Sequence, residues 1–171
     1  VIRYYTGVGS RETPHQIRVQ MAQIASHLAM RDFVLRSGAA PGADEAFETG
    51  LMRHQKREIY LPWKEFNGHK SKLHPPSVEA MYIASRHHPA WGKCGDAARM
   101  LHARNVHQVL GKDLNTPSAF LVCWTPGGTG AGGTGQAIRI AQTHQIPVFD
   151  LAVWRRDAVF DHVRELLAAE D

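Results

Sequence analysis

The chain has 171 residues, 43% hydrophobic and 21% charged, which is apolar content for one core and too little length for two. Its formal charge of +4, with eleven histidines taken as neutral, favours anionic ligands, yet the basic residues are scattered and form no nucleic-acid-binding tail. No apolar run reaches the ~20 residues of a membrane-spanning helix, and residues 1–5 lack the regions of a signal peptide, so a cytoplasmic location without a membrane partner is expected.

In chain order, the first predicted strand (2–6) runs into Gly7-Val8-Gly9-Ser10-Arg11. A helix follows, because Ile17, Met21, Ile24 and Leu28 share one face, with Thr13 as cap and Pro14 in the first turn. The second strand (33–36) leads into Ser37-Gly38-Ala39-Ala40-Pro41-Gly42 and a helix over 43–55. A third strand (58–61) stops at Pro62.

Residues 62–93, rich in Pro, His and aromatics, break the alternation and read as an irregular insertion with at most one helix, at 77–85. At least two of Trp63, Phe66 and Trp91 are expected to form a small core within it. A helix over 95–110 carries Arg104 and Asn105, with Leu101, Val106, Val109 and Leu110 set to pack on the sheet. Next come a strand (119–124), a glycine-rich loop, a helix (134–144), a strand (146–150) and a last helix (157–169). Trp124 and Trp154 are expected in the core. The alternation predicts one Rossmann-like α/β domain over 1–171, a doubly wound, mainly parallel sheet with helices on both faces. Ligands of such sheets bind at the carboxyl ends of the strands, where the glycine-rich loops fall.

Three loops share the order strand, small residues, helix, which leaves unpaired N–H groups facing any anion. In the first, Ser10 offers a hydroxyl and Arg11 a charge-assisted fork, beside Gly9. In the second, Ser37, Gly38, Ala39 and Gly42 precede Asp44, which can hydrogen-bond a ribose hydroxyl or order the loop. The third is the most specific: six glycines lie between residues 127 and 135, opening a helix, and ordering so many is entropically costly for a mere connection. Gly128, Gly132, Gly133, Thr134, Gly135 and Gln136 belong to this element, which lacks the lysine of a Walker loop.

No metal is expected: adjacent His87 and His88, with His102 or His107 as a third ligand, fit no recognisable ligand spacing. Cys94 and Cys123 read as two reduced thiols, the latter in an apolar run.

Taken in order, these motifs resemble the SLOG superfamily, which joins the Smf/DprA DNA-processing proteins and the LOG phosphoribohydrolases, with this chain as a short stand-alone DprA-like member. Gly7-Val8-Gly9-Ser10-Arg11 is similar to the first phosphate loop, and 37–44 to the Ser-Gly-Gly-Ala-x-Gly-Ile-Asp segment of DprA. Ala103-Arg104-Asn105 is similar to the Arg-Asn helix, and 126–136 to an expanded Pro-Gly-Gly-x-Gly-Thr-x-x-Glu motif of LOG proteins. The resemblance implies a nucleotide or nucleotide-derived signal as ligand, no cofactor, a homodimer or higher homo-oligomer, and an origin among phage or mobile-element proteins. Two alternatives come with it: DprA-like binding of single-stranded DNA, and LOG-like hydrolysis of a nucleoside monophosphate. In the latter, Gln136 stands where the family has a glutamate, and a neutral amide cannot act as a carboxylate. Hydrolysis would then draw on Asp44, Glu48 or Glu79, with Arg104 beside it.

Overall fold

A computed structural model describes residues 1–170. The sheet contains β1 (Arg3–Gly7), β2 (Phe33–Ser37), β3 (Arg57–Ile59), β4 (Leu121–Cys123) and β5 (Val148–Asp150). All pairings are parallel and the order is β3-β2-β1-β4-β5. Both faces of the sheet are covered, as parallel crossovers require, and β2 and β4 are buried throughout. Chain growth proceeds outward from β1 to β3, then returns past β1 to β4, so the direction reverses between β1 and β4. That reversal opens a crevice at the carboxyl ends of the two strands.

One face is covered by α1 (His15–Ala29), α2 (Ala43–Thr49) and α6 (Arg156–Ala168). Met21, Ile24, Leu28, Phe47 and Val163 pack there on Tyr5, Leu35 and Phe120. The other face is covered by α3 (Val78–His87), α4 (Asp96–Leu110) and α5 (Thr134–Thr143). Ala84, Val106, Val109 and Ile140 pack there with Leu121 and Cys123. Burial accordingly pushes the Cys123 thiol pKa up, leaving it an inert core group. No helix among the described residues is long and apolar enough to cross a membrane.

Several local expectations change. Pro14 holds the cap position of α1 and no side chain caps the helix; the Thr13 hydroxyl instead donates to the Ser10 carbonyl at 2.6 Å. Helix α2 stops at Thr49 rather than continuing to 55, with Gly50 at its end packed against the Ala22 backbone of α1. The insertion builds no core of its own. Phe66 joins the α1/α2/α6 side with Trp63 edge-on against it, whereas Trp91 packs on the opposite side. Trp154 is 50% exposed, lying edge-on to Phe149 at the surface, whereas Trp124 is partly buried against the core. A buried charge also went unforeseen: Arg36 of β2 pairs with Glu58 at 2.9 Å, donates to the Thr116 carbonyl and lies 3.8 Å from the Tyr4 ring centre. Those partners offset its desolvation.

The α1/α2 contact gives a direct test. A Cβ on Gly50 would overlap the Ala22 carbonyl, a backbone atom that cannot swing away. Gly50→Ala is expected to lower stability by about 2–3 kcal/mol, the range of a core overpacking change. Urea denaturation measures it, and an unchanged midpoint contradicts this packing.

Candidate functional site

The first loop leaves β1 still paired to its neighbour: the Ser10 N–H donates to the Trp124 carbonyl at 3.2 Å, which fixes it beside the start of the third loop. The second loop presses on the first. Gly42 has φ of 89°, a left-handed conformation, and a Cβ there would lie 2.7 Å from the Ser10 carbonyl oxygen. Only glycine meets both demands.

Asp44 is buried at the start of α2, and its carboxylate accepts the Ala40 N–H at 3.1 Å. The anion position of this loop is therefore filled by the protein's own side chain. Burial raises the Asp44 pKa from 3.8 to about 6, against the lowering effects of the Arg104 charge and the backbone N–H groups.

Helix α4 runs behind the second and third loops and is buried from Ala103 to Leu110. Arg104, 6% exposed, donates through Nη1 to the Gly38 carbonyl at 2.6 Å and through Nε to the Asn105 side-chain oxygen at 3.0 Å. Asn105 in turn donates to the Gly133 carbonyl at 3.2 Å. Gln108, with its amide oriented by its neighbours, accepts the Gly38 N–H at 3.2 Å and donates to Asn105 at 3.1 Å. Two residues adjacent in sequence thus strap the second loop to the third. Nη2 of Arg104 has no acceptor among the described residues.

The third loop is anchored at its base by Thr125, whose N–H donates to the Asp150 carboxylate and whose hydroxyl contacts the same group. The Gly130 N–H donates to the Thr125 hydroxyl at 2.9 Å. Beyond that point the amides of residues 131–134 have no acceptor among the described residues, and they lead into the N-terminus of α5. Free amides at a helix start attract anions.

These elements enclose a cavity of about 700 Å³ at the crevice between β1 and β4. Of the expected site residues, Gly9, Ser10, Arg11, Asp44, Arg104, Asn105, Gly132, Gly133 and Thr134 line it. Ser37, Gly38, Ala39 and Gly42 stand behind the lining: the Ser37 hydroxyl donates to the Gly7 carbonyl, and Ala39 takes a positive φ of 58°. Gly128 faces Val153, away from the cavity, and Gly135 packs in α5 against Gly130. Gln136, expected to touch ribose or base, is fully buried and bonded at both ends of its amide, donating to the Ala84 carbonyl and accepting from Arg139, both at 2.9 Å. It ties α5 to α3 instead.

The carboxylates separate as clearly. Glu48 pairs with His69 at 3.0 Å and Arg57 at 3.6 Å, and Glu79 is exposed on the first turn of α3; neither lines the cavity. Glu12, which sequence reading passed over, does line it, as do His88, His102 and Gln108. Burial and neighbouring positive charges lower the His102 pKa to about 4. His88, His102 and Cys94 hold their ligand-type atoms within 4.8 Å of one another, a grouping that sequence spacing did not suggest.

No protein-family model and no curated protein matches the chain. Among solved structures it is similar to DNA processing protein A from Helicobacter pylori, described for its single-stranded DNA binding mode. The two share 17% identity with a TM-score of 0.55, over 87% of this chain and 64% of that one. A likeness at that identity concerns the fold, and it agrees with the DprA part of the resemblance.

Asp44 supplies the pH test for this site. Its raised pKa stabilises the folded chain fully below the unfolded value of 3.8, and this contribution is lost as pH rises through about 6. Relative to an Asp44→Asn chain, the parent should lose roughly 2 kcal/mol of stability between pH 4 and pH 7, most of the full contribution at about 1.4 kcal/mol per pKa unit. Urea denaturation at both pH values reads the difference, and a gap independent of pH refutes the burial assigned to this group.

Proposed function

We propose that the cavity binds the phosphate end of a nucleotide or nucleotide-derived signal, which the protein senses or sequesters. The observation that carries this reading is the convergence of three glycine-rich loops and α4 on one cavity whose third-loop amides lack acceptors. Its volume of about 700 Å³ suits a ligand of mononucleotide size. Because Asp44 already occupies the second loop, the phosphate belongs over residues 131–134, with Arg11 approaching from the first loop and Nη2 of Arg104 from below. Ser10 is the neutral partner there: its hydroxyl accepts the Glu12 N–H and retains its own proton to donate. His88, His102 and Leu101 form the remaining wall, where sugar and base would lie.

The same cavity bears on hydrolysis of the N-glycosidic bond. Asp44 and Glu12 are its two lining carboxylates among the described residues, and a pKa of about 6 suits Asp44 to proton transfer near neutrality. A second reading, single-stranded DNA binding, is supported by the likeness to DNA processing protein A. It treats the cavity as a seat for one nucleotide of a strand.

Calorimetric titration with AMP, GMP and CMP tests the proposal. Saturable binding is expected, weakened about tenfold or more by Arg11→Ala, which removes a charge-assisted hydrogen bond of roughly 1.5–3 kcal/mol. Absence of binding to all three, together with a salt-sensitive gel shift on single-stranded oligonucleotides, moves the assignment to DNA. Release of free base that Asp44→Asn abolishes makes the protein an enzyme rather than a sensor.

A further inference from the structure

A second chemistry stands in the wall of the same cavity. His88 ends α3, Cys94 follows the tight turn Trp91–Lys93, and His102 lies on the second turn of α4. Packing of α3 on α4 brings the three together. The Cys94 sulfur is 3.8 Å from Nδ1 and 3.9 Å from Nε2 of His88, and the His88 and His102 ring centres are 4.3 Å apart. A thiolate and an imidazole sharing one tetrahedral zinc, at ~2.3 and ~2.1 Å, stand roughly 3.5 Å apart, so small side-chain adjustments close the site.

One atom in the group is otherwise unexplained. Nδ1 of His102 is buried and has no hydrogen-bond partner, a costly state for a polar atom. Of the neighbouring histidines, His107 has both nitrogens bonded, to the Gly111 carbonyl and the Ser77 N–H, and His87 lies outside the group of donor atoms that His88, Cys94 and His102 form.

We infer that His88, Cys94 and His102 bind one divalent metal ion of the zinc class, leaving a coordination position open to the cavity for water or a ligand atom. Thiolate and imidazole donors select zinc-like ions over magnesium or calcium, which take oxygen. The two histidines line the cavity and Cys94 does not, so the sulfur holds the ion from behind. On binding, the Cys94 thiol gives its proton to solvent and loses its contact with the Ala90 carbonyl. The His88 ring likewise gives up the Ala90 N–H that Nδ1 accepts at 3.0 Å, because an imidazole with one nitrogen on a metal carries its proton on the other. This site stands whether or not the cavity takes a nucleotide.

Cobalt alone is the probe. Chelator-treated protein titrated with Co²⁺ should bind one equivalent, with the strong visible bands of a tetrahedral ion and a near-ultraviolet thiolate charge-transfer band, and Zn²⁺ should bleach both. Cys94→Ser should abolish the charge-transfer band. His102→Ala should weaken binding by more than the roughly 10–100-fold that loss of an outer-shell partner costs, while His87→Ala should leave it unchanged. A second readout needs no variant: Cys123 is fully buried, so Cys94 is the accessible thiol, and stoichiometric Zn²⁺ should block its alkylation. Octahedral spectra without charge transfer, or alkylation indifferent to Zn²⁺, overturn the inference.

Discussion

The site depends on a buried cation that the protein spends on its own backbone. Arg104 and Asn105 sit on a buried helix turn in the cavity wall, and each reaches a different glycine carbonyl, Gly38 in the second loop and Gly133 in the third. Those loops hang from β2 and β4, strands separated in the sheet by β1. The ladder through β1 spaces the strands, and the strap ties the loops beyond them. An arginine buried this deeply is tolerable because Nε and Nη1 have acceptors and Asp44 lies near enough to offset part of its charge.

A division of labour among the loops follows. Asp44 completes the second loop internally, so that loop supports the cavity more than it receives an anion. The third loop has the opposite character: anchored at its base by Thr125 and Asp150, it then presents a run of amides with no internal acceptor. A fixed base with an unsatisfied tip is what preorganised anion recognition requires, since the ordering cost is met during folding rather than on binding. The first loop, pinned between the other two through Ser10, contributes Arg11 as an exposed charge lining the cavity.

The architecture and the three loops were legible because they rest on local signals. Gly or Pro follows each of the first four strands, and Ile17, Met21, Ile24 and Leu28 mark their helix by spacing alone. What escaped was decided by contacts distant in sequence. Arg104 reads as a surface or ligand charge until Gly38, far away in the chain, is seen against it. Gln136 follows the glycines directly, yet its side chain turns toward Ala84 of the insertion, so proximity to a motif misassigned it. Likewise, His88, Cys94 and His102 come from a helix end, a turn and a second helix, with spacings that match no ligand pattern until α3 packs on α4. The insertion aromatics were misjudged for a related reason: two hydrophobic faces were already present, and Phe66 and Trp91 joined one each.

The central claim, that free amides of the third loop and the Arg11 side chain together hold a phosphate, is tested most directly by a crystal structure of the protein grown with a nucleoside monophosphate. The account predicts the phosphate over residues 131–134, within hydrogen-bond distance of those amides and of Arg11, with the Arg104 to Gly38 bond intact. A phosphate seated elsewhere on the molecule, or a third loop whose amides stay turned from the bound nucleotide, would contradict it.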